Sequence, residues 1–225
     1  MKNLPLLFSG IFFCLAFSWV GLIVSSQVQL GGLQPMSSEY ATDDDNQVMV
    51  GTPVEGEPLY PQAPVGLAAQ GKLEYISLGC MYCHTQQVRG KGYGADIERL
   101  WGNRQTVPRD YILQERVLLG TMRTGPDLMT IGKRQPDAAW HHLHLYHPKI
   151  TSQGKSIMPP YPFLYRLQKI DEKPAPDALK IPDSFAKYQP PAGYEIVPTE
   201  RAKRLVAYLQ SLTLDYELPE AKFEE

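Results

Sequence analysis

The 225-residue sequence has few cysteines and little net charge. Its three cysteines are too few for the disulfide-rich scaffold of a small secreted protein. Its formal charge of −2 argues against a nucleic-acid partner, because domains that bind nucleic acids are usually strongly basic. No internal repeat is visible, and the single C-x-x-C-H motif predicts one site. The composition favours one substantial folded domain, whose 20 prolines and 18 glycines predict long loops rather than a long helical bundle.

A long run without charge lies near the N-terminus, from Leu4 to Val24. As a helix this run would span about 31 Å, close to the hydrocarbon thickness of a bilayer. We therefore interpret residues 1–26 as a transmembrane anchor. A cleaved signal peptide is the alternative, although its apolar core is typically about 7–15 residues long. Lys2 is the only positive charge before the run, so the positive-inside rule predicts a cytoplasmic N-terminus with the rest of the chain outside.

Prolines divide the remaining chain. Residues 27–65 show no clean helical or strand period, which predicts an irregular tether. Residues 66–225 are interpreted as one domain, in which the six prolines of residues 171–198 predict a loop over the surface. The spacing of apolar residues predicts three helices in this domain, over residues 66–78, 138–146 and 199–213.

Each predicted helix has a boundary signal and an apolar face. Gly79 ends the first helix, Pro148 follows the second, and Thr199 caps the third. The predicted apolar faces are Ala69, Leu73 and Ile76 in the first helix, Ala139, Leu143 and Tyr146 in the second, and Ala202, Leu205, Val206, Leu209 and Leu212 in the third.

The first predicted helix is followed directly by Cys80-Met81-Tyr82-Cys83-His84. C-x-x-C-H is the attachment pattern of c-type haem, in which two thiols one turn apart add to the vinyl groups and the histidine faces the iron. A thioredoxin-like redox site would need a βαβ setting, which the sequence lacks. A zinc site would need further ligands at short spacing, and no second cysteine pair exists. A short Cys80–Cys83 disulfide remains possible, but it would be strained.

A second iron ligand is predicted among the methionines. Met122, Met129 and Met158 are the candidates outside the tether and the motif. Met158 is favoured because Pro159 and Pro160 follow it and would stiffen the loop that presents its sulfur. A thioether ligand raises the reduction potential and closes the iron to small ligands. The alternative is a methionine that only fills the core.

Three further residues are predicted to support the cofactor. A ligating histidine normally donates its second ring N–H to an acceptor, and the carbonyl of Pro126 is our candidate. Arg89 and Arg123 are candidates for pairing with the haem propionates, since guanidinium groups bind carboxylates. The alternatives are an ordinary turn around Pro126 and exposed arginines.

A cluster of histidines follows, at positions 141, 142, 144 and 147. One of them could serve as the axial ligand of a bis-histidine haem, and pairs three residues apart could share a metal. No cysteine or carboxylate completes a metal set. We therefore expect surface or interface histidines, some of which pack near the haem.

The sequence resembles a class I cytochrome c domain in four features taken together. These are the C-x-x-C-H motif after a first helix, the Gly-Pro-Asp-Leu turn, the methionine loop and the terminal Ala-Tyr-Leu helix. Longer segments are similar to the mono-haem subunit II of cbb3-type cytochrome c oxidases. These segments are GCMYCHTQQVR (79–89), DIER (96–99), RTGPDL (123–128), WHHLHLYHPK (140–149) and MPPYPFL (158–164).

The resemblance implies a mostly α fold, with a single transmembrane helix and a helical domain whose long loops surround one covalent haem c. It implies that Cys80 and Cys83 form the thioethers, that His84 and Met158 are the axial ligands, and that Gly71 and Tyr75 meet the 205–209 face of the last helix. It also implies a bacterial inner-membrane protein with its haem domain on the periplasmic side.

The expected function is electron transfer without a catalytic centre of the chain's own. By resemblance, electrons arrive from a further c-type cytochrome subunit or a soluble cytochrome c and leave for the haem–copper subunit that reduces oxygen. The first alternative is a cytochrome subunit of another respiratory complex, such as nitric oxide reductase. The second is a haem enzyme or gas sensor, which would need an open coordination position.

Overall fold

A computed structural model describes residues 3–38, 40–42, 48–53 and 56–224. Lys2, on which the predicted orientation depends, lies outside the described residues. The chain forms two compact units, Met1–Pro61 with Val107–Glu115 and Gln62–Thr106 with Arg116–Glu225.

The first unit begins with a long apolar helix. Helix α1 (Leu4–Trp19), a π-helical turn (Val20–Val24) and helix α2 (Ser25–Leu30) follow one another without a break. Together they form 27 residues that are long and apolar enough to cross a membrane. Large side chains such as Phe12 are exposed along the helix, as expected of a lipid-facing surface.

Short strands follow where the sequence predicts only an irregular tether. Strands β1 (Met36–Ser37), β2 (Tyr40–Thr42), β3 (Val48–Pro53) and β4 (Leu59–Tyr60) form two antiparallel pairs, β1 with β4 and β2 with β3. Residues 27–30 also continue the apolar helix. The strands have two to six residues, too few for a period of two to stand out from the sequence.

The second unit is built on two crossing helices, α3 (Gly66–Ser77) and α7 (Glu200–Ser211). Gly71 makes the crossing possible, because a Cβ at this position would collide with the carbonyl oxygen of Arg204 and lie 2.7 Å from Tyr208 Cβ. Tyr75 packs edge-on against Tyr208, with ring centroids 5.4 Å apart. The predicted meeting of Gly71 and Tyr75 with the last helix is confirmed.

The ends of these helices follow the predicted signals. Gly79 adopts a left-handed conformation with φ of 74° just after α3, which a residue with a side chain would adopt at a cost. The side chain of Thr199 accepts a hydrogen bond from the backbone of Ala202 and caps α7. The face of α7 from Ala202 to Leu209 is buried, as predicted.

Three shorter helices and one hairpin also belong to the second unit. They are α4 (Ile131–Arg134), α5 (Ala138–Tyr146), α6 (Pro148–Thr151) and the antiparallel strands β5 (Tyr165–Lys169) and β6 (Tyr194–Pro198). The prediction that residues 171–198 form only a surface loop is therefore wrong at its end, where β6 is largely buried. Local sequence gave no signal because the pairing joins segments about 25 residues apart.

The predicted apolar faces of α3 and α5 are partly wrong. Leu73 is 68% exposed and Ala139 is exposed, whereas Gly71, Tyr75, His141 and Leu145 are buried. The buried faces of these helices combine aromatic, polar and small residues. A prediction from hydrophobicity alone therefore places the wrong side of each helix against the core. The mostly helical character of the chain is confirmed.

Candidate haem-binding site

The C-x-x-C-H motif lies where α3 gives way to a tight turn. Gly79 redirects the chain, Cys80–Tyr82 form a 3-10 turn, and the backbone N–H of His84 donates to the carbonyl of Cys80 at 3.0 Å. Cys80 is half-buried and Cys83 is exposed. In the described part of the chain both are free thiols, so the structure holds no Cys80–Cys83 disulfide. Both sulfurs remain available for thioether bonds.

The ring of His84 is fixed by the segment that contains Pro126. Nδ1 of His84 lies 2.8 Å from the carbonyl oxygen of Pro126, which is the contact predicted from the sequence. A carbonyl only accepts, so Nδ1 carries the proton and Nε2 keeps its lone pair. Burial lowers the pKa of His84, which also favours the neutral ring. The imidazole therefore has the tautomer that an iron ligand needs.

Gly125 leaves room for this ring. A Cβ added to Gly125 would collide with the imidazole, lying 2.7 Å from Nδ1 and 2.9 Å from Nε2 of His84. The backbone N–H of Gly125 also donates to the carbonyl of Cys83 at 2.9 Å. The motif and the Gly125-Pro126 segment thus pack against each other at a distance that only glycine permits.

Asp127 fastens this segment to the residues after His84. Its carboxylate is fully buried and accepts hydrogen bonds from the Thr85 hydroxyl at 2.6 Å, the Gln87 backbone at 2.7 Å and the Met129 backbone at 2.8 Å. Arg134 donates to the backbone carbonyl of Asp127. Buried carboxylates with this many donors hold backbone segments in a single arrangement.

A half-open cleft of about 90 Å³ lies beside His84. His84, Cys80 and Met158 all line it. Most of the other lining is apolar and comes from four helices and the Pro126 segment: Tyr75, Leu128, Ile131, Leu145, Leu205 and Leu209.

The residues of the cleft fit a covalently attached haem. An imidazole with a free lone pair and a thioether share one apolar cavity, and this ligand pair is typical of cytochromes c. Cys80 lies at the same cavity and Cys83 three residues further along. A side chain at Gly125 would collide with the His84 ring, which shows that the His84 side of the cleft is closely packed.

Arg89 and Arg123 are not brought to the cleft. Both guanidinium groups bind the buried carboxylate of Asp96, Arg89 at 3.4 Å and Arg123 through a short ion pair. Burial alone would raise the pKa of Asp96, but the hydrogen bonds from Arg123 and Arg89 hold it below its ordinary value. The pairing with propionates predicted for these arginines therefore finds no support in the geometry.

The histidines of α5 divide into two groups. His141 and His144 line the cleft, as does Trp140. His142 instead contacts the Tyr165 hydroxyl through Nδ1 at 3.2 Å, and His147 stacks on Tyr188. Within the described residues, no group of three or more His, Cys, Asp or Glu side chains could hold a metal ion.

Burial shifts the protonation of these rings. Burial, together with the nearby rings of His84 and His141, lowers the pKa of His144 to about 4. Burial likewise lowers the pKa of His142 to about 4. The sequence predicts that some of these histidines pack near the haem, but it does not indicate which of them do and does not single out Trp140. The i, i+3 spacing of His141 and His144 was the signal that could have done so.

A family model described as "Cytochrome C oxidase, mono-heme subunit/FixO" matches residues 52–195. The matched segment is well over half of the chain and includes Cys80, Cys83, His84, Pro126 and Met158. Among curated proteins, none is similar enough in sequence to be matched.

Proposed function

The chain belongs to the mono-haem subunit/FixO family of cytochrome c oxidases, and from this premise we propose that it relays single electrons through one covalent haem c in a cbb3-type oxidase. When bound, the haem supplies a one-electron Fe(III)/Fe(II) couple. The observation that carries the proposal is the apolar cleft that His84 and Met158 share, beside a cysteine of the C-x-x-C-H motif.

Each residue has a definite part in holding the cofactor. Cys80 and Cys83 form the thioether bonds, and His84 offers its Nε2 lone pair while Nδ1 donates to Pro126. Met158 offers its sulfur from a loop stiffened by the two prolines that follow. Two protein ligands leave no position for a substrate, so this chain transfers electrons and makes no bond to oxygen.

The surroundings of the ligands favour the reduced state. The thioether of Met158 stabilises Fe(II) and raises the potential. The leucines and Ile131 that line the cleft would limit water around a bound haem, which disfavours the state with the higher charge. The hydrogen bonds of Asp127 keep the backbone around His84 in place, so that little has to move when an electron arrives.

The partners and location follow from the family. Electrons arrive from a c-type cytochrome and leave for the haem–copper catalytic subunit. The helix from Leu4 to Leu30 anchors the chain in the bacterial inner membrane, with the haem domain on the periplasmic side. The oxidase is favoured over nitric oxide reductase because the family that matches is one of oxidase subunits.

The test is haem attachment in the full chain, produced in a host that matures c-type cytochromes. The wild-type band should keep its haem stain after denaturation and gain the mass of one haem. Cys80→Ala and Cys83→Ala should each lose an intact thioether, whereas the control Cys14→Ala, in the apolar helix, should keep both. A colourless wild-type band would refute the proposal.

Partner identity is tested by purification from native membranes. A tagged chain should bring down the haem–copper subunit of an oxidase. Recovery of a nitric oxide reductase in its place would overturn the assignment of the complex while leaving the haem intact.

A further inference from the structure

His144 is a second imidazole in the cleft for which the proposed haem ligation has no use. It lies on α5 and lines the same cavity as His84 and Met158. Its ring therefore borders the cavity that the haem would occupy.

The ring of His144 is held as a ligand would be. Its Nδ1 lies 2.5 Å from Oγ1 of Thr151, and that hydroxyl donates onward to the carbonyl of Pro148 at 3.2 Å. When the hydroxyl proton points to that carbonyl, Nδ1 of His144 is the donor in the first hydrogen bond. Nε2 is left with a lone pair and no proton, the state in which histidine binds metals.

Trp140 fixes the plane of this ring. The two rings stack nearly parallel, at 7°, with centroids 4.8 Å apart. The hydrogen bond and the stack together restrict rotation about both side-chain torsions of His144. An orientation fixed in advance reduces the entropy lost when the ring binds a ligand.

His141 is different, although it lines the same cleft. Its Nε2 lies 2.7 Å from the carbonyl of Gln135 and must be the donor there. The nitrogen left to His141 is Nδ1, which lies next to its own backbone on a side chain that is 2% exposed. In His144 the free nitrogen is Nε2, at the end of the side chain. Of these two rings, His144 is therefore the one that can bind iron.

We propose that His144 is an alternative axial ligand, whose Nε2 can replace the sulfur of Met158 on the haem iron. The inference rests on the haem site proposed above and adds a second coordination state to it. In the exchange the Fe–S bond breaks and an Fe–N bond forms. No electron or proton is transferred, because Nε2 already carries a free lone pair.

The exchange would lower the reduction potential. A thioether favours Fe(II), and an imidazole donates more strongly to Fe(III). The chain would then have a high-potential state that passes electrons on and a low-potential state that holds the iron oxidised. The flanks of Met158 suit such a change, since Ile157 is 79% exposed and both following prolines are exposed.

The experiment compares Met158→Ala with the double variant Met158→Ala/His144→Gln in the haem-loaded full chain. With Met158→Ala we expect a low-spin iron with two nitrogen ligands, seen by electron paramagnetic resonance. The double variant should be high-spin and bind carbon monoxide when reduced. If binding of His144 leaves the iron open in only about a tenth of the Met158→Ala molecules, this variant should bind carbon monoxide with about tenfold lower apparent affinity than the double variant.

The matched control is Met158→Ala/His147→Gln. His147 follows α5 and its buried Nδ1 has no hydrogen-bond partner, so its loss breaks no described hydrogen bond of that ring and the spectrum should equal that of Met158→Ala. If Met158→Ala fails to fold, Met158→Gln preserves more of the side-chain volume and serves for the same comparison.

The outcomes separate this inference from the proposed function. Covalent haem with an open, high-spin iron in Met158→Ala would refute the role of His144 and leave the relay intact. Wild-type chain without covalent haem would refute the haem site itself. A spectrum of Met158→Ala that does not change on adding His144→Gln would also overturn the inference.

Discussion

The two segments that carry the proposed haem ligands, His84 and Met158, are built in different ways. On the His84 side, the motif is bound to residues 125–128 by backbone hydrogen bonds, among them Gly125 N–H to the Cys83 carbonyl and Leu128 N–H to the Thr85 carbonyl. On the Met158 side, the backbone N–H of Met158 donates to the hydroxyl of Ser156 at 3.1 Å, and two prolines without N–H groups follow. One ligand is held by a network and the other by chain stiffness.

This difference predicts which of the two proposed ligands stays bound and which can be exchanged. A hydrogen-bonded network moves as a unit and fails only when a buried group loses its partner. A loop restrained by prolines keeps its local conformation but can shift as a whole, because few bonds join it to the core. His84 should therefore stay on the iron under all conditions, whereas Met158 is the ligand that can be exchanged.

The strongest way to break the His84 side is Gly125→Ala. The new Cβ would lie 2.7 Å from Nδ1 of a ring that is already bound to Pro126, so the ring or the segment must move. We expect a loss of about 3 kcal/mol or more in unfolding free energy, together with an altered axial-ligand spectrum. Guanidinium unfolding of the haem-loaded chain measures the loss.

The control for this change is Gly32→Ala, at a position where an added Cβ meets nothing within 4 Å. Its unfolding curve should match that of the wild type. Equal curves for Gly125→Ala and Gly32→Ala would show that the His84 side is not tightly packed.

Asp127→Asn should weaken the same side by removing an acceptor from the buried network. One carboxylate oxygen becomes an NH₂ group and faces the backbone N–H of Gln87 or Met129, which are both donors. We expect a loss of about 2 kcal/mol in unfolding free energy. The matched Asp137→Asn, at the N-cap of α5, should change stability by less than about 0.5 kcal/mol, because asparagine caps helices about as well. Similar values for both variants would contradict the role given to Asp127.

Much of this arrangement could be predicted from the sequence, because its signals are local. Gly79, Pro148 and Thr199 mark helix ends by chemistry that acts within one turn, and the bounds of α3, α5 and α7 follow them closely. The His84–Pro126 contact was also predictable, since a ligating histidine needs an acceptor and the proline carbonyl lies in a recognisable turn.

The remainder depends on contacts between distant segments. Nothing near Arg89 or Arg123 indicates that both would meet Asp96, a pairing that the fold creates. The burial of His141 follows from the position of α5 beside the cleft, and a hydrophobicity pattern assigns histidine to the polar side. Strand β6 pairs across about 25 residues. Long-range pairing of this kind leaves no local period to detect.

Met158→Ala sharpens the comparison between the His84 side and the Met158 side. Its effect should be larger on the reduction potential of the haem than on the stability of the fold. The side chain is half-buried, so its truncation should cost only about 1–2 kcal/mol, at or below the lower end for methionine. The potential should fall because the thioether is lost, while both thioether bonds to the haem remain. Redox titration and intact mass measure the two properties. An unchanged potential would show that Met158 is not a ligand.

Pro160→Ala tests the stiffness of the Met158 loop directly. Alanine at this exposed position gives the unfolded chain more freedom and removes no described contact, so a loss of about 0.4–1 kcal/mol is expected. The exchange of Met158 for another ligand should become easier, seen as a larger low-potential fraction in a redox titration. A matched Pro174→Ala, in the exposed segment before β6, should lower stability similarly without changing the potential.

The smallest expected effect comes from the helix crossing, which belongs to neither ligand side. Arg201 binds Glu74 at 2.8 Å across α3 and α7, and this hydrogen bond holds the pKa of Glu74 below its ordinary value. A carboxyl whose pKa is lowered by folding stabilises the protein above its unfolded pKa, and this contribution is lost as the pH falls through the folded pKa. Since Arg201 is half exposed, Glu74→Gln should cost only about 0.2–1 kcal/mol at pH 7. The difference from the wild type should shrink as the pH falls below the ordinary pKa of glutamate and vanish below the folded pKa of Glu74, and the reduction potential should not change at any pH. A shift in potential would show that the crossing and the ligands are coupled, and that the two sides of the cleft are not independent of the scaffold that carries them.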